Sequence, residues 1–202
     1  MRGGRAAALG LLLAAHAAGQ DRPALRLALH GTDPPAVFVS VEGLLAGDDF
    51  IDALRSGFPL YMEYRVLLRE PRALWDRTVN EFVWEYVVVH DPVRDRFTVE
   101  APGTTEILPD VAELRRRLAQ VYDVGLEPER PGRHYYEARV EARTLSDDDV
   151  DEAFAWLRGG NGGATGRRDP GLLTRVARKM LIRVAPLPRV TLSGRTSAFD
   201  RR

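Results

Sequence analysis

Two-residue alternation through the middle of the chain limits the fold more than any other feature. Leu60, Met62, Tyr64, Val66 and Leu68 fall on one side of an extended run, with Tyr61, Glu63, Arg65 and Arg69 on the other and Leu67 as the exception. The next run repeats the pattern with aromatics: Phe82, Trp84, Tyr86 and Val88 face one way, Glu81 and Glu85 the other. Tyr136, Ala138, Val140 and Ala142 likewise oppose Glu137, Arg139, Glu141 and Arg143. Successive side chains of a strand point to opposite faces, so each run predicts a half-buried antiparallel strand, apolar inside and charged outside. Opposite charges on the outer face pair across strands for a few tenths of a kcal/mol each, which makes that face a solvated surface.

The punctuation agrees with strands. His90-Asp91-Pro92-Val93-Arg94-Asp95 separates Val87-Val88-Val89 from Phe97-Thr98-Val99 and predicts a hairpin, because Asp and Pro favour a turn. Gly31-Thr32-Asp33-Pro34-Pro35 separates Leu25, Leu27 and Leu29 from Val37, Val39 and Val41 in the same way, the prolines belonging to the turn because they cannot donate ladder hydrogen bonds. Short helices are expected after Asp48-Asp49, with Phe50, Ile51 and Leu54 inward and Gly57 as the stop, and after Pro109-Asp110, with Val111, Leu114, Leu118 and Val121 on one side. Ser146 followed by Asp147, Asp148 and Asp149 predicts another helix start, its stripe Val150, Ala153, Phe154 and Leu157 ending at Gly159-Gly160. Val190-Thr191-Leu192 predicts a short final strand. The fold class is therefore α+β and mainly β: an antiparallel sheet or β-sandwich of roughly six to nine strands, with a few edge helices and a C-terminal amphipathic helix.

The ends divide the chain further. Arg2 and Arg5 precede a 13-residue apolar run, Ala6 to Ala18, with small residues at Ala15, Ala17 and Gly19. This order reads as a secretory signal peptide over 1–19, cleaved after Ala17 or Gly19, and the run is shorter than the ~20 residues of a membrane span. The expected divisions are that signal, a β-rich body over 20–158, a glycine-rich linker over 159–170, and a basic amphipathic helix and tail over 171–202. Leu172, Leu173, Val176, Ala177, Met180, Leu181 and Val184 form the apolar face of that helix, and Arg175, Arg178, Lys179 and Arg183 its basic face. A net charge of zero conceals a split: 17 Arg against 27 acids from Gln20 to Arg158 gives −10, and 10 basic residues against 2 Asp from Gly159 to Arg202 gives +8. A basic tail either folds back on the acidic body or meets an anionic membrane surface; nucleic acid is not an expected partner of an exported chain.

No linear pattern carries chemistry. His30, His90 and His134 lie at no zinc-motif spacing, and a chain with no cysteine has no thiolate ligand, disulfide or lipid-anchor cysteine. The acidic run Asp147-Asp148-Asp149 lacks the alternating ligands and central glycine of a calcium loop, and suits a helix N-terminus. Gly159-Gly160-Asn161-Gly162-Gly163 lacks the Lys-Ser/Thr of a phosphate loop and a second copy of a calcium repeat. None of Ser40, Ser56, Ser146, Ser193 and Ser197 lies in a G-x-S-x-G elbow. No catalytic residue, cofactor or metal is expected, although a carboxylate pair assembled in space would leave no linear trace. Tyr61, Tyr64, Phe82, Trp84, Tyr86, Tyr135 and Tyr136 are expected as core, with a ligand groove as the alternative.

In the stretch from Leu54 to Val89 the chain resembles a bacterial exported-protein family, domain of unknown function 4390. The resemblance is carried by Ala53-Leu54-Arg55-Ser56-Gly57-Phe58-Pro59-Leu60, Glu63-Tyr64-Arg65-Val66, Leu74-Trp75-Asp76-Arg77 and the aromatic strand after it. It extends more loosely from about Leu25 to Leu157, and the glycine linker and basic tail depart from it. It implies an exported protein with no assigned enzyme activity, catalytic residue or cofactor, and a regulatory or interaction role near envelope-sensing kinases. Within it, Asp76 is expected to cap the turn around Pro71 and Arg77 to pair with Asp76 or with a Glu of a neighbouring strand, anchored by Trp75; contact of Trp75, Asp76 and Arg77 with a ligand or partner is the alternative. The expected function is an exported, periplasmic, non-enzymatic binding module that offers a sheet edge or groove to an envelope protein. An envelope hydrolase with a carboxylate pair, or a peripheral membrane or lipid-binding protein, would be the alternatives.

Overall fold

The computed structural model describes residues 22–146 and 187–201. In chain order these form β1 (Ala24–His30), β2 (Ala36–Glu42), α1 (Asp49–Arg55), β3 (Leu60–Glu70), β4 (Arg77–Asp91), β5 (Arg96–Ala101), β6 (Thr104–Leu108), α2 (Val111–Leu118), β7 (Tyr122–Val124), β8 (Gly132–Thr144), β9 (Arg189–Arg195) and β10 (Phe199–Arg201). The architecture is mainly β with two short helices, as the alternation predicts. The described residues hold ten strands, above the expected six to nine, because short strands such as β7 and β10 carry no readable period.

All pairings are antiparallel. A small sheet has the order β1-β2-β7, and a large one the order β10-β8-β3-β4-β5-β6, with β9 also alongside β8. Among the described residues a small cluster joins Tyr61, Val87 and Leu145, and the main core lies against both sheets. It takes Val37, Val39 and Val41 from β2, alternate residues Leu60 to Leu68 from β3, Tyr136 to Ala142 from β8, and Leu114 and Leu118 from α2. The strand predicted at 190–192 is present and longer, as β9, but it is not the last: beyond a bend, Thr196 N–H donates to Tyr136 O (2.9 Å) and β10 continues along the same edge of β8.

Local chemistry sets the connections. At the hairpin after β4, Asp91 Oδ1 accepts the N–H groups of Val93 (3.0 Å) and Arg94 (3.3 Å), and Asp95 takes the left-handed conformation (φ 46°) that Asp tolerates. Asp110 Oδ1 accepts the Glu113 N–H (2.9 Å), an N-cap for α2. Gly57 (φ 89°) closes the turn after α1, which buries Phe50, Ile51 and Leu54. Where β1 crosses near β9, Gly194 allows close approach: a Cβ there would lie 3.3 Å from Leu27 Cδ1 and 3.6 Å from Leu25 Cδ2.

Two expected core positions are corrected. Val121 lies beyond the end of α2 and is 55% exposed, because the helix stops at Leu118 and the chain turns to enter β7. Phe82 is 48% exposed even though Tyr86 and Val88, on the same face of β4, are buried. The core ends partway along that strand. The expected helix after Ser146, the linker over 159–170 and the basic helix with Arg175, Arg178, Lys179 and Arg183 lie outside the described residues. No helix among the described residues is long and apolar enough to cross a membrane.

Candidate functional site

β4 is 15 residues long, whereas its outer neighbour β5 has six. β3 pairs along β4 from Arg77 to Val88, but β5 pairs only with Val87 to Asp91. Among the described residues, the outer edge of β4 from about Thr78 to Tyr86 therefore has no strand beside it. Every second residue there turns its N–H and C=O outward over about 30 Å of extended chain. A bulge at Val79, between the pairs Leu68–Asn80 and Arg69–Thr78, marks the start of this edge.

The core-facing side of the edge is an aromatic ladder that passes from buried to exposed. Trp84 stacks on Tyr64 (4.7 Å between centroids, 12° between planes) and meets Tyr122 (4.9 Å) and Phe82 (5.4 Å). Trp84 Nε1 is buried with no hydrogen-bond partner among the described residues. The Tyr64 and Tyr86 hydroxyls lie 3.4 Å apart. Burial pushes the Tyr64 phenol up to about 12 and Tyr86 well above its ordinary value, so both stay neutral at physiological pH and serve as packing. The expected aromatic core thus holds for Tyr64, Tyr86 and Tyr136, which are buried, while the Phe82 end opens to solvent.

The outer side of the same edge is acidic. Glu85 stands opposite Glu63 on β3, and Glu63 opposite Glu141 on β8, a row of three carboxylates across neighbouring strands. Arg65 holds Glu81 (2.5 Å) and Glu63 (3.4 Å), and Arg189 holds Glu141 (2.8 Å). Tyr61 lies between Glu63 and Glu85; burial first, and then hydrogen bonding to and charge from these carboxylates, hold its phenol far above its ordinary value. None of the three carboxylates lines either of the two cavities described next.

Immediately before β4, the segment 71–76 carries the resemblance motif. Asp76 accepts the Tyr135 hydroxyl (2.5 Å) and the Arg72 N–H (3.2 Å), and these two bonds, Tyr135 foremost, lower its carboxyl below the usual range. The turn cap expected of Asp76 is present. Arg77 approaches Glu70 on the neighbouring strand β3 (4.0 Å), as expected, and pairs more closely with Glu129 (3.1 Å) in the loop between β7 and β8, a pairing not expected from the sequence. Trp75 is corrected: it anchors nothing and is 80% exposed beside Leu74 at 84%, because the turn is held by Asp76 and leaves both apolar side chains outside. Behind the turn lies a polar cavity of about 80 Å³ walled by Glu70, Arg72, Arg77, Glu129, Arg130 and His134. A larger apolar cavity of about 280 Å³ lies between Leu44, Leu45 and Leu118. Arg115 Nε donates to Leu45 O (3.1 Å) at its wall.

The three histidines among the described residues stay apart. His30 Nε2 lies 2.8 Å from Asp123, His90 Nε2 3.0 Å from Asp95, and His134 Nδ1 2.9 Å from Gly132 O. Among the described residues, no group of three His, Asp or Glu side chains is placed to hold a metal ion. The arrangement is suited to binding: an open strand edge, half-covered aromatics and an exposed Leu-Trp tip lie consecutively from Leu74 to Glu85. The sequence leads to the expectation of a sheet edge or groove but not to which strand supplies it, because the signal is a mismatch in length between two strands and not a motif.

The family model described as "Domain of unknown function (DUF4390)" matches residues 46–148, about half of the chain. No curated protein matches the chain, and no solved structure does.

Proposed function

We propose, for a chain that belongs to the DUF4390 family, that it works as an exported, non-enzymatic module that docks an envelope protein by accepting a strand on the open edge of β4. The single observation that carries this reading is the edge from Thr78 to Tyr86, unpaired among the described residues, beside a β5 that stops short. Backbone groups on such an edge recruit an extended segment, and alternate side-chain positions give it specificity. Phe82 and Val83, 48% and 37% exposed, supply apolar area on both faces of the edge, and Leu74 and Trp75 extend it. The signal-peptide pattern of 1–19 supplies the address.

The test uses native cells. A thiol-reactive photocrosslinker is placed on Asn80→Cys, or on Val93→Cys at the far hairpin as a control, in a chain that has no other cysteine. Asn80 is expected to give a defined protein product that Val93 does not, and Phe82→Lys is expected to remove it. Mass spectrometry identifies the product and purified components rebuild the complex. N-terminal sequencing of the same envelope fraction is expected to begin at Ala18 or Gln20. Equal products from both positions overturn edge docking, and a cytosolic protein that retains Met1 overturns export.

A further inference from the structure

We infer that the segment received by β4 is a basic strand, alternating Arg or Lys with apolar residues; this rests on the edge-docking reading and specifies its partner. The chain already contains one such pairing. On the opposite side of the large sheet, the outer face of β8 alternates Glu137 and Glu141 with Arg139 and Arg143. The strand beside it, β9, reads Arg189-Val190-Thr191-Leu192-Ser193-Gly194-Arg195. Val190 and Leu192 pack on the core, Arg195 stands opposite Glu137, and Arg189 reaches Glu141 at 2.8 Å. Arginines at both ends of an alternating strand thus meet the two glutamates of a mixed-charge face at that edge.

The β4 edge from Thr78 to Tyr86 carries Glu81 and Glu85 on its outer side with no arginine of its own strand between them, and among the described residues no strand lies beside it. Arg65 reaches Glu81 and Glu63, but there is no ion pair to Glu85 among the described residues. Glu85 and Glu63 face one another directly, and like charges at that separation destabilise a ladder. A cation on an incoming strand would sit about 5 Å from its cross-strand neighbour and relieve this repulsion. Its intervening apolar side chains would cover Phe82 and the edge of Trp84. A second copy of β4 fits less well: antiparallel pairing about Val83, which matches Phe82 to Trp84, sets Glu81 against Glu85.

Fluorescence anisotropy of the purified full chain with synthetic peptides of about ten residues, matched to the open edge, tests this. The probes are an Arg-Val alternating peptide, a Glu-Val alternating peptide, and an Arg-Val peptide of the same charge broken by two prolines. The Arg-Val peptide is expected to bind about tenfold more tightly than either of the others. The double variant Glu81→Lys, Glu85→Lys is expected to reverse the preference toward Glu-Val. If Arg-Val and Glu-Val bind equally and Phe82→Lys weakens both, the basic partner is overturned while edge docking stands. If the proline-broken peptide binds as well as its parent, attraction is diffuse and the inference fails. If no peptide binds the folded chain, edge docking falls with it.

Discussion

Replacing Tyr136 with Phe isolates one device that ties the two sheets together. Tyr136 is on β8 and fully buried. Its hydroxyl accepts the Leu126 N–H (3.2 Å) and donates one proton toward Pro35 O (2.9 Å), with Leu126 O at 3.2 Å sharing it. The residues joined in this way are 10 and 101 positions away in sequence. Phenylalanine keeps the ring and its contact with Phe199, so the transfer of apolar area is unchanged and the loss is confined to hydrogen bonds. A buried donor left without a partner costs about 1–3 kcal/mol. Taking about 2 kcal/mol, and about 2–4 °C per kcal/mol for a domain of this size, Tm is expected to fall about 4–8 °C. Tyr64→Phe is the internal control: its hydroxyl has a long 3.4 Å contact with Tyr86, so the expected loss is below about 1 kcal/mol. Urea unfolding followed by circular dichroism at constant m-value reads both differences. A Tyr136→Phe loss below about 0.5 kcal/mol, or one smaller than that of Tyr64→Phe, would refute the reasoning, since the groups at Pro35 and Leu126 would then be hydrated.

Two further outcomes follow from the same packing. Gly194→Val is expected to cost about 1–3 kcal/mol through overpacking against Leu25 and Leu27, while Gly194→Ala costs less because the ends of those leucines can yield; equal midpoints for both variants in urea would contradict the close approach of β1 and β9. Asp76→Asn addresses pH: the folded carboxyl titrates below its unfolded value of 3.8, so its stabilising effect is present above about pH 4 and disappears as pH falls through the lowered folded value. The stability gap between wild type and Asp76→Asn is therefore expected to narrow from pH 6 to pH 2 in urea titrations, and a gap that widens on acidification would contradict the Tyr135–Asp76 bond.

Much of the fold was legible because its determinants are local. Alternation assigns faces to β3, β4 and β8, an Asp placed before free N–H groups fixes the turn after β4 and the start of α2, and a Gly closes α1. The resemblance located the turn before β4, and Asp76 and Arg77 behave there as their chemistry suggests. Trp75 and Phe82 did not follow, because an aromatic residue at the right period is buried only where a second layer lies over it. That layer ends before Phe82 and never reaches Trp75.

The sequence by itself determined which residues point inward along each strand, where the chain turns, and that no cysteine, zinc spacing or nucleophile elbow offers a linear chemical motif. Only the tertiary structure decided which strands are neighbours, that Asp76 meets Tyr135 across 59 residues, that Glu63 stands between Glu85 and Glu141, and that β5 leaves half of β4 uncovered. The physical reason is that side-chain period is a property of one strand, whereas an open edge is a property of a strand and the neighbour it lacks.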